Sequence, residues 1–243
     1  FNGLDGLILA IKNKNMKVHA FEANPELIKI IKRNKKKIEK FKNIKIKNYK
    51  INNFAVSDKN KFFKFNIAKN PTVSSLYKFS KNIDKTWPGY RDAHCTFIKK
   101  IKVKGITLDK YCKDNQVNQI NYLHIDTQGN DLKVLKGLNK KINIVKKGIL
   151  EAAINKKKAL YENIDTISEV KLFLKKHNFQ ISKIEAIDEN IKNEKNVFFY
   201  NKNIRFINQV KSNYNVRSLN RIISNKTNLK DKLINKLENF FYN

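Results

Sequence analysis

Cysteine occurs only twice, as Cys95 and Cys112, which excludes a disulfide framework and a cysteine-rich zinc ligand set. That usage fits a reducing, cytoplasmic setting. No apolar run approaches the roughly 18 to 20 residues of a transmembrane helix, so the chain reads as soluble. No internal repeat is evident. Arginine, whose planar fork suits bidentate phosphate and base contacts, is scarce beside lysine. An initiating methionine is also missing: the sequence opens at Phe1, inside what reads as a functional loop, and a natural N-terminus with any signal it carries is expected upstream.

With 243 residues, 41% of them hydrophobic, the chain can bury one sizeable core. Composition changes after residue 202. Residues 1–202 read as one domain and 203–243 as a basic helical tail, in which Leu229, Leu233, Leu237 and Phe240 form an apolar stripe among lysines. The formal charge of +31 raises affinity for phosphate backbones, anionic membranes and acidic polymers. Two accounts of it stand. Lysine is spread from end to end among abundant asparagine and isoleucine, as compositional drift of the coding sequence produces, whereas a selected polyanion surface would concentrate charge in a stripe.

The most informative stretch runs from Tyr122 to Gly137. Tyr122–Ile125 is a short apolar strand cut off by Asp126-Thr127-Gln128-Gly129, after which Leu132, Leu135 and Leu138 recur at helical spacing. Polar side chains just past the carboxyl end of such a strand face the crevice where α/β folds bind ligands, which makes Asp126 and Gln128 candidates for chemistry. The competing account is that Asp126 caps the helix and Gly129 merely permits the turn.

Other segments repeat this logic. Lys17–Phe21 is a strand ending at Glu22, followed by Asn24 as N-cap and Pro25 at the first helical position. A carboxylate at such a tip can accept both hydroxyls of a ribose, although a solvated end charge has the same pattern. Lys50–Val56 ends in Ala55-Val-Ser-Asp58, and Lys61–Ala68 alternates as a strand, with Lys59-Asn60 as a possible hairpin turn before it. Residues 69–100 have no period, which suits a lid or binding loop as well as disorder. His94 beside Cys95 invites a nucleophile reading, but adjacent side chains seldom face one another. Lys147–Glu151 is a further strand with a carboxylate at its tip, Ile164–His177 an amphipathic helix, and Phe179–Ala186 with Asn196–Tyr200 a closing antiparallel pair. The expected fold is α/β: a Rossmann-like, mostly parallel sheet with a terminal antiparallel hairpin and helices on both faces.

The motifs and their order resemble the FkbM family of class I methyltransferases. Leu123-His-Ile-Asp-Thr-Gln-Gly-Asn-Asp-Leu-Lys-Val-Leu-Lys-Gly137 is similar to that family's Leu-Lys-Ile-Asp-x-Glu/Gln-Gly-x-Glu-x-x-Val-Leu-Lys-Gly signature. Ala20–Pro25, Phe54–Asp58, Ser74–Leu76, Ile106–Asp109 and Ile149–Glu151 follow the same pattern over about residues 1–200. Departures are His124 where lysine is common, Asp131 where glutamate is common, and an opening loop reduced to Phe1–Gly6. On its strand face His124 is within reach of the site, though a satisfied buried histidine is the commoner case.

The resemblance implies transfer of a methyl group from S-adenosylmethionine to a hydroxyl of a sugar, glycan or secondary metabolite. It further implies Asp126, Gln128 and Glu151 in catalysis, and Asn2, Gly3, Glu22, Ala55 and Val56 at the cofactor, with no metal. A small-molecule or glycan acceptor is the expected partner. Two alternatives are kept: a nucleic-acid-binding protein or RNA methyltransferase, and a non-catalytic binding module of the same fold.

Overall fold

A computed structural model describes residues 4–188 and 191–203. Asn2, Gly3 and nearly all of the expected basic tail lie outside them. Helix α1 (Leu4–Lys12) buries Leu7 and Ala10 and packs on β1 (Val18–Phe21). Helix α2 (Pro25–Lys42) begins as its sequence dictates. The Asn24 side chain accepts from the Glu26 N–H, Pro25 occupies the first turn, and Leu27, Ile31 and Ile38 form the buried stripe. It ends at Asn43, whose left-handed backbone (φ 49°) returns its N–H to the carbonyls of Glu39 and Lys40.

The next strands are β2 (Tyr49–Asn52), β3 (Ala55–Val56), β4 (Phe62–Ala68) and β5 (Phe97–Ile106). Short helix α3 (Ile83–Thr86) lies inside the long β4–β5 connection, and α4 (Leu108–Asp114) follows β5 under a Thr107 cap. Then come β6 (Leu123–His124), α5 (Asp131–Lys136), β7 (Lys147–Ala153), α6 (Ile167–Lys176), β8 (Phe179–Asp188) and β9 (Ile191–Asn201). Helix α6 starts three residues later than its periodicity suggests, because Thr166 and Glu169 form a reciprocal capping box there.

The architecture is mixed α/β. Among the described residues β1–β2, β3–β5 and β6–β7 pair in parallel, while β4–β5, β7–β9 and β8–β9 pair antiparallel. These pairings form three hydrogen-bonded sheets rather than one mostly parallel sheet. The difference arises chiefly at β4. Its alternation marks it as a strand, but its partner is β5, more than thirty residues on (Phe62 opposite Lys104), and not the segment before Lys59. Phe65, Ile67 and Val103 fill the inner face of that pair. The closing hairpin appears where expected.

The main core packs α4, α5 and α6 against β7 and β9, with Leu135, Leu138, Leu150, Val170, Leu174 and Val197 fully excluded from solvent. A second core lies under the 69–100 segment, where Val73, Ile83, Tyr90 and Cys95 meet Tyr161 and Ile164. That segment is thus packed structure.

Helix α5 closes onto the loop after β3 at Gly137. A β-carbon there would stand 2.2 Å from the Ser57 carbonyl oxygen, a main-chain atom with no freedom to yield. Gly137→Ala is expected to destabilise the fold by about 1–3 kcal/mol, the usual cost of overpacking. Urea unfolding checks this, and an unchanged midpoint would contradict the packing described.

Candidate functional site

The strand leading to the site is longer than its two ladder residues. Ile120 and Ile125 continue the parallel register with β7 through Lys146 N–H to Ile120 O (2.8 Å) and Ile125 N–H to Ile149 O (2.9 Å). The chain then reverses through two left-handed residues, Gln128 (φ 53°) and Gly129 (φ 96°). Glycine is required at the second position both by that φ and by space, since a β-carbon would lie 2.6 Å from the Ile164 side chain. Gln128 pays a conformational cost that only surrounding contacts can offset.

Those contacts are present. Ser75 Oγ donates to the Gln128 carbonyl (2.6 Å), and Tyr161 OH lies 2.8 Å from Gln128 Oε1. Gln128 Nε2 in turn donates to Asp126 Oδ1 (2.7 Å). Asp131 closes the turn from beneath, accepting from Thr127 Oγ1 (2.9 Å) and from the N–H groups of Thr127 and Glu151 (both 3.3 Å). Asn130 fastens the turn to the next loop: its Nδ2 donates to Val56 O (2.8 Å), and its Oδ1 accepts from Tyr77 OH (3.1 Å) and Ser57 Oγ (3.3 Å). The residue at the N-cap of α5 is Asn130, so Asp126 is not a helix cap. It is exposed at the mouth of the turn.

Behind Asp126 lies a group of buried carboxyls. Burial, reinforced by the charge of Asp126, pushes Asp131 up to about 7. Glu194 on β9 is pushed up to about 8 by burial and by Asp131 and Asp126. Glu151 is raised well above the usual carboxylate range, first by burial and then by Asp126, Asp131 and Glu194. It stands two residues before the end of β7 rather than at its tip. Asp131, Glu151 and Glu194 also line a cavity of about 10 Å³, which is the scale of a single water.

Glu22 approaches the same region from β1. Its Oε1 accepts the Asn24 N–H at 2.7 Å, and Asn53 Nδ2 holds the Glu22 carbonyl at 2.9 Å. Burial raises the Glu22 carboxyl, backbone hydrogen bonds from Asn24 and Ala23 oppose the rise, and the charge of Asp126 adds to it. The two carboxylates are therefore within electrostatic reach of one another. His124 combines two properties: its side chain meets solvent, yet burial lowers its basicity against the opposing pull of Asp126 and Asp5. The satisfied buried histidine expected there is not what the structure contains. Nearby, Tyr122 carries the one buried side-chain polar atom without a partner among the described residues.

Ala55 and Val56 are buried at the end of β3. Just beyond them opens a cavity of about 160 Å³ walled by Phe63, Leu76 and Tyr77 and edged by Asp58, Lys61 and Lys133. His94 and Cys95 point apart, the first exposed in a left-handed backbone (φ 58°) and the second buried with its thiol 3.4 Å from Ala93 O. Tyr161 and Glu194 carry no sequence signal. Ser75 does, as part of Ser74-Ser-Leu76.

A family model for the methyltransferase FkbM domain matches residues 7–181. No curated protein and no solved structure matches the chain.

The raised carboxyls make stability depend on pH in a definite direction. Asp131 and Glu194 keep their protons in the fold at pH values where the unfolded chain has already ionised, so raising the pH costs stability until about 7 and about 8 respectively. The lowered imidazoles of His19 and His124 act oppositely, but only below their ordinary value of 6.5. Between pH 6.5 and 8 the carboxyls therefore dominate, each costing up to about 1.4 kcal/mol per pH unit. The melting temperature is expected to fall over that interval and to fall less in Glu194→Gln. A flat profile in the parent protein would contradict the buried, protonated state of these groups.

Proposed function

The chain belongs to the FkbM methyltransferase family, and from that premise we propose that it moves the methyl group of S-adenosylmethionine to a hydroxyl oxygen of a sugar, glycan or secondary metabolite. What supports this reading is the family match together with Glu22 and Asp126, about a hundred positions apart in sequence yet close enough for the charge of Asp126 to bear on the Glu22 carboxyl. The strand and helix order of the described residues supports a Rossmann-like domain over 1–202 with helices on both faces, and 203–243 is read as a basic tail from its composition alone. The buried free cysteines Cys95 and Cys112 agree with a reducing, cytoplasmic location.

The residues present fit such a cofactor. Glu22 is oriented by backbone hydrogen bonds from Asn24 and Ala23, and its carboxylate has further acceptor capacity for a ribose hydroxyl. Ala55 and Val56 lead into a cavity whose Phe63 and Leu76 walls suit a flat heteroaromatic ring and whose Asp58 can accept from an exocyclic amine. Asn2 and Gly3 are assigned to the methionine portion. Bound there, the cofactor supplies a methyl carbon activated by a sulfonium.

What the protein must do is align the acceptor oxygen and take its proton. Asp126 is the assigned base: Gln128 occupies its Oδ1, leaving Oδ2 to receive the hydroxyl proton, and exposure at the turn lets that proton pass on to solvent. Gln128 holds the base, and Glu151, kept protonated by its surroundings, is assigned to orient the acceptor.

A second reading has its own observation. Lys64, Lys100, Lys102 and Lys104 project from the outer face of β4–β5, beside the exposed Phe62, and among the described residues none has an acidic partner. A nucleic-acid ligand on that face would bind with steep salt dependence.

Calorimetric titration with S-adenosylmethionine tests the first reading. Glu22→Ala is expected to weaken binding by at least about tenfold, the value of one charge-assisted hydrogen bond. Asp126→Asn should retain cofactor binding and lose turnover. Unchanged affinity in Glu22→Ala would refute the ribose role, and full turnover in Asp126→Asn would refute the base.

A further inference from the structure

We propose that Tyr161 is a positioning residue for methyl transfer: acting through the Gln128 amide, it fixes which oxygen of Asp126 is free to meet the acceptor. This rests on the assignment of Asp126 as base.

Tyr161 is held unusually firmly for a residue in a loop. It is 1% exposed, its ring stacks on Phe79 at 5.3 Å, and the chain around it is pinned by Ser80 N–H to Leu160 O (2.8 Å) and Glu162 N–H to Lys78 O (2.9 Å). Its hydroxyl reaches two acceptors, Gln128 Oε1 at 2.8 Å and Val73 O at 3.1 Å. Burial, and after it the neighbouring acidic groups, disfavour a phenolate, so the oxygen carries its proton and can donate.

The hydroxyl has one proton for two acceptors, and the shorter contact is the one to Gln128 Oε1. With Oε1 turned to Tyr161, the Gln128 NH₂ must face Asp126, where it donates to Oδ1 at 2.7 Å. Rotated by half a turn, the amide would set its oxygen against a carboxylate. Asp126 and Tyr161 therefore agree on one orientation, and what Tyr161 adds is a buried, fixed anchor for the amide oxygen, since Ser75 binds only the Gln128 main-chain carbonyl. Ser75 and Tyr161 come from separate segments, both packed beside the site. The two segments therefore meet on one glutamine, holding its main chain from one side and its side chain from the other, and that glutamine holds the base.

Tyr161→Phe keeps the ring, its stacking and its volume while removing the donor. The test compares it with Gln128→Leu and the double variant, using the side-chain amide resonances of the folded protein. The Gln128 NH₂ pair, identified by its loss in Gln128→Leu, is expected to be set apart from exposed amides and slow to exchange, and to collapse to the exposed position in Tyr161→Phe. Turnover of radiolabelled S-adenosylmethionine on the best acceptor from a panel of monosaccharides and uronates supplies the second reading. Tyr161→Phe should lower kcat about tenfold with little change in KM, and the double variant should be no worse than Gln128→Leu alone, as expected for residues acting in series. A solvent-like Gln128 NH₂ in the parent protein, or additive losses in the double variant, would overturn the proposal. Asp126→Asn separates the two claims. Retained turnover there defeats the base itself, whereas lost turnover together with an unaltered Tyr161→Phe enzyme defeats only the role given to Tyr161.

Discussion

A left-handed turn that closes only because Gly129 has no side chain is the constraint on which the site depends. Ile164 and Tyr161 press on it from one side, so the backbone has one path between β6 and α5. That path throws Asp126 outward, sends Asp131 inward beneath Thr127, and aims Asn130 at the loop after β3. Three neighbouring side chains are thereby given three different tasks. The strain at Gln128 is offset by hydrogen bonds from Ser75 and Tyr161, which tie the turn to both loops of the second core.

Burying carboxyls so close together would be prohibitive if all were charged, since isolated buried charges cost several kcal/mol even after relaxation. The fold resolves this by keeping Asp131, Glu151 and Glu194 in environments that favour the protonated form, while Asp126 stays in contact with water. The formal charge of +31 offers little local relief here, because no lysine is among the groups that shift Asp131, Glu151 or Glu194.

Local chemistry was readable in the sequence wherever short-range rules decide structure. Asn24 and Pro25 start α2, the Tyr122–Gly137 stretch is strand, turn and helix, and the last two strands form a hairpin, all as their residues dictate. Partner choice was not readable. Period-two alternation marks β4 as a strand but cannot say that β5 closes on it across the 69–96 connection, and so the parallel character of the sheets was overestimated. The same limit hid Tyr161 and Glu194, whose relation to Asp126 exists only after the chain has folded. His124 shows a third limit. Strand alternation gives the face on which a side chain lies, but whether that face is packed or open depends on what other elements leave uncovered.

The central claim is that Glu22 and Asp126 bound one nucleoside-sized cleft in which the methyl donor sits. A crystal structure of the protein with S-adenosylhomocysteine measures this most directly. The account requires the ribose hydroxyls within hydrogen-bonding distance of Glu22 and the sulfur facing Asp126; a nucleoside bound elsewhere, or those carboxylates separated by intervening protein, would contradict it.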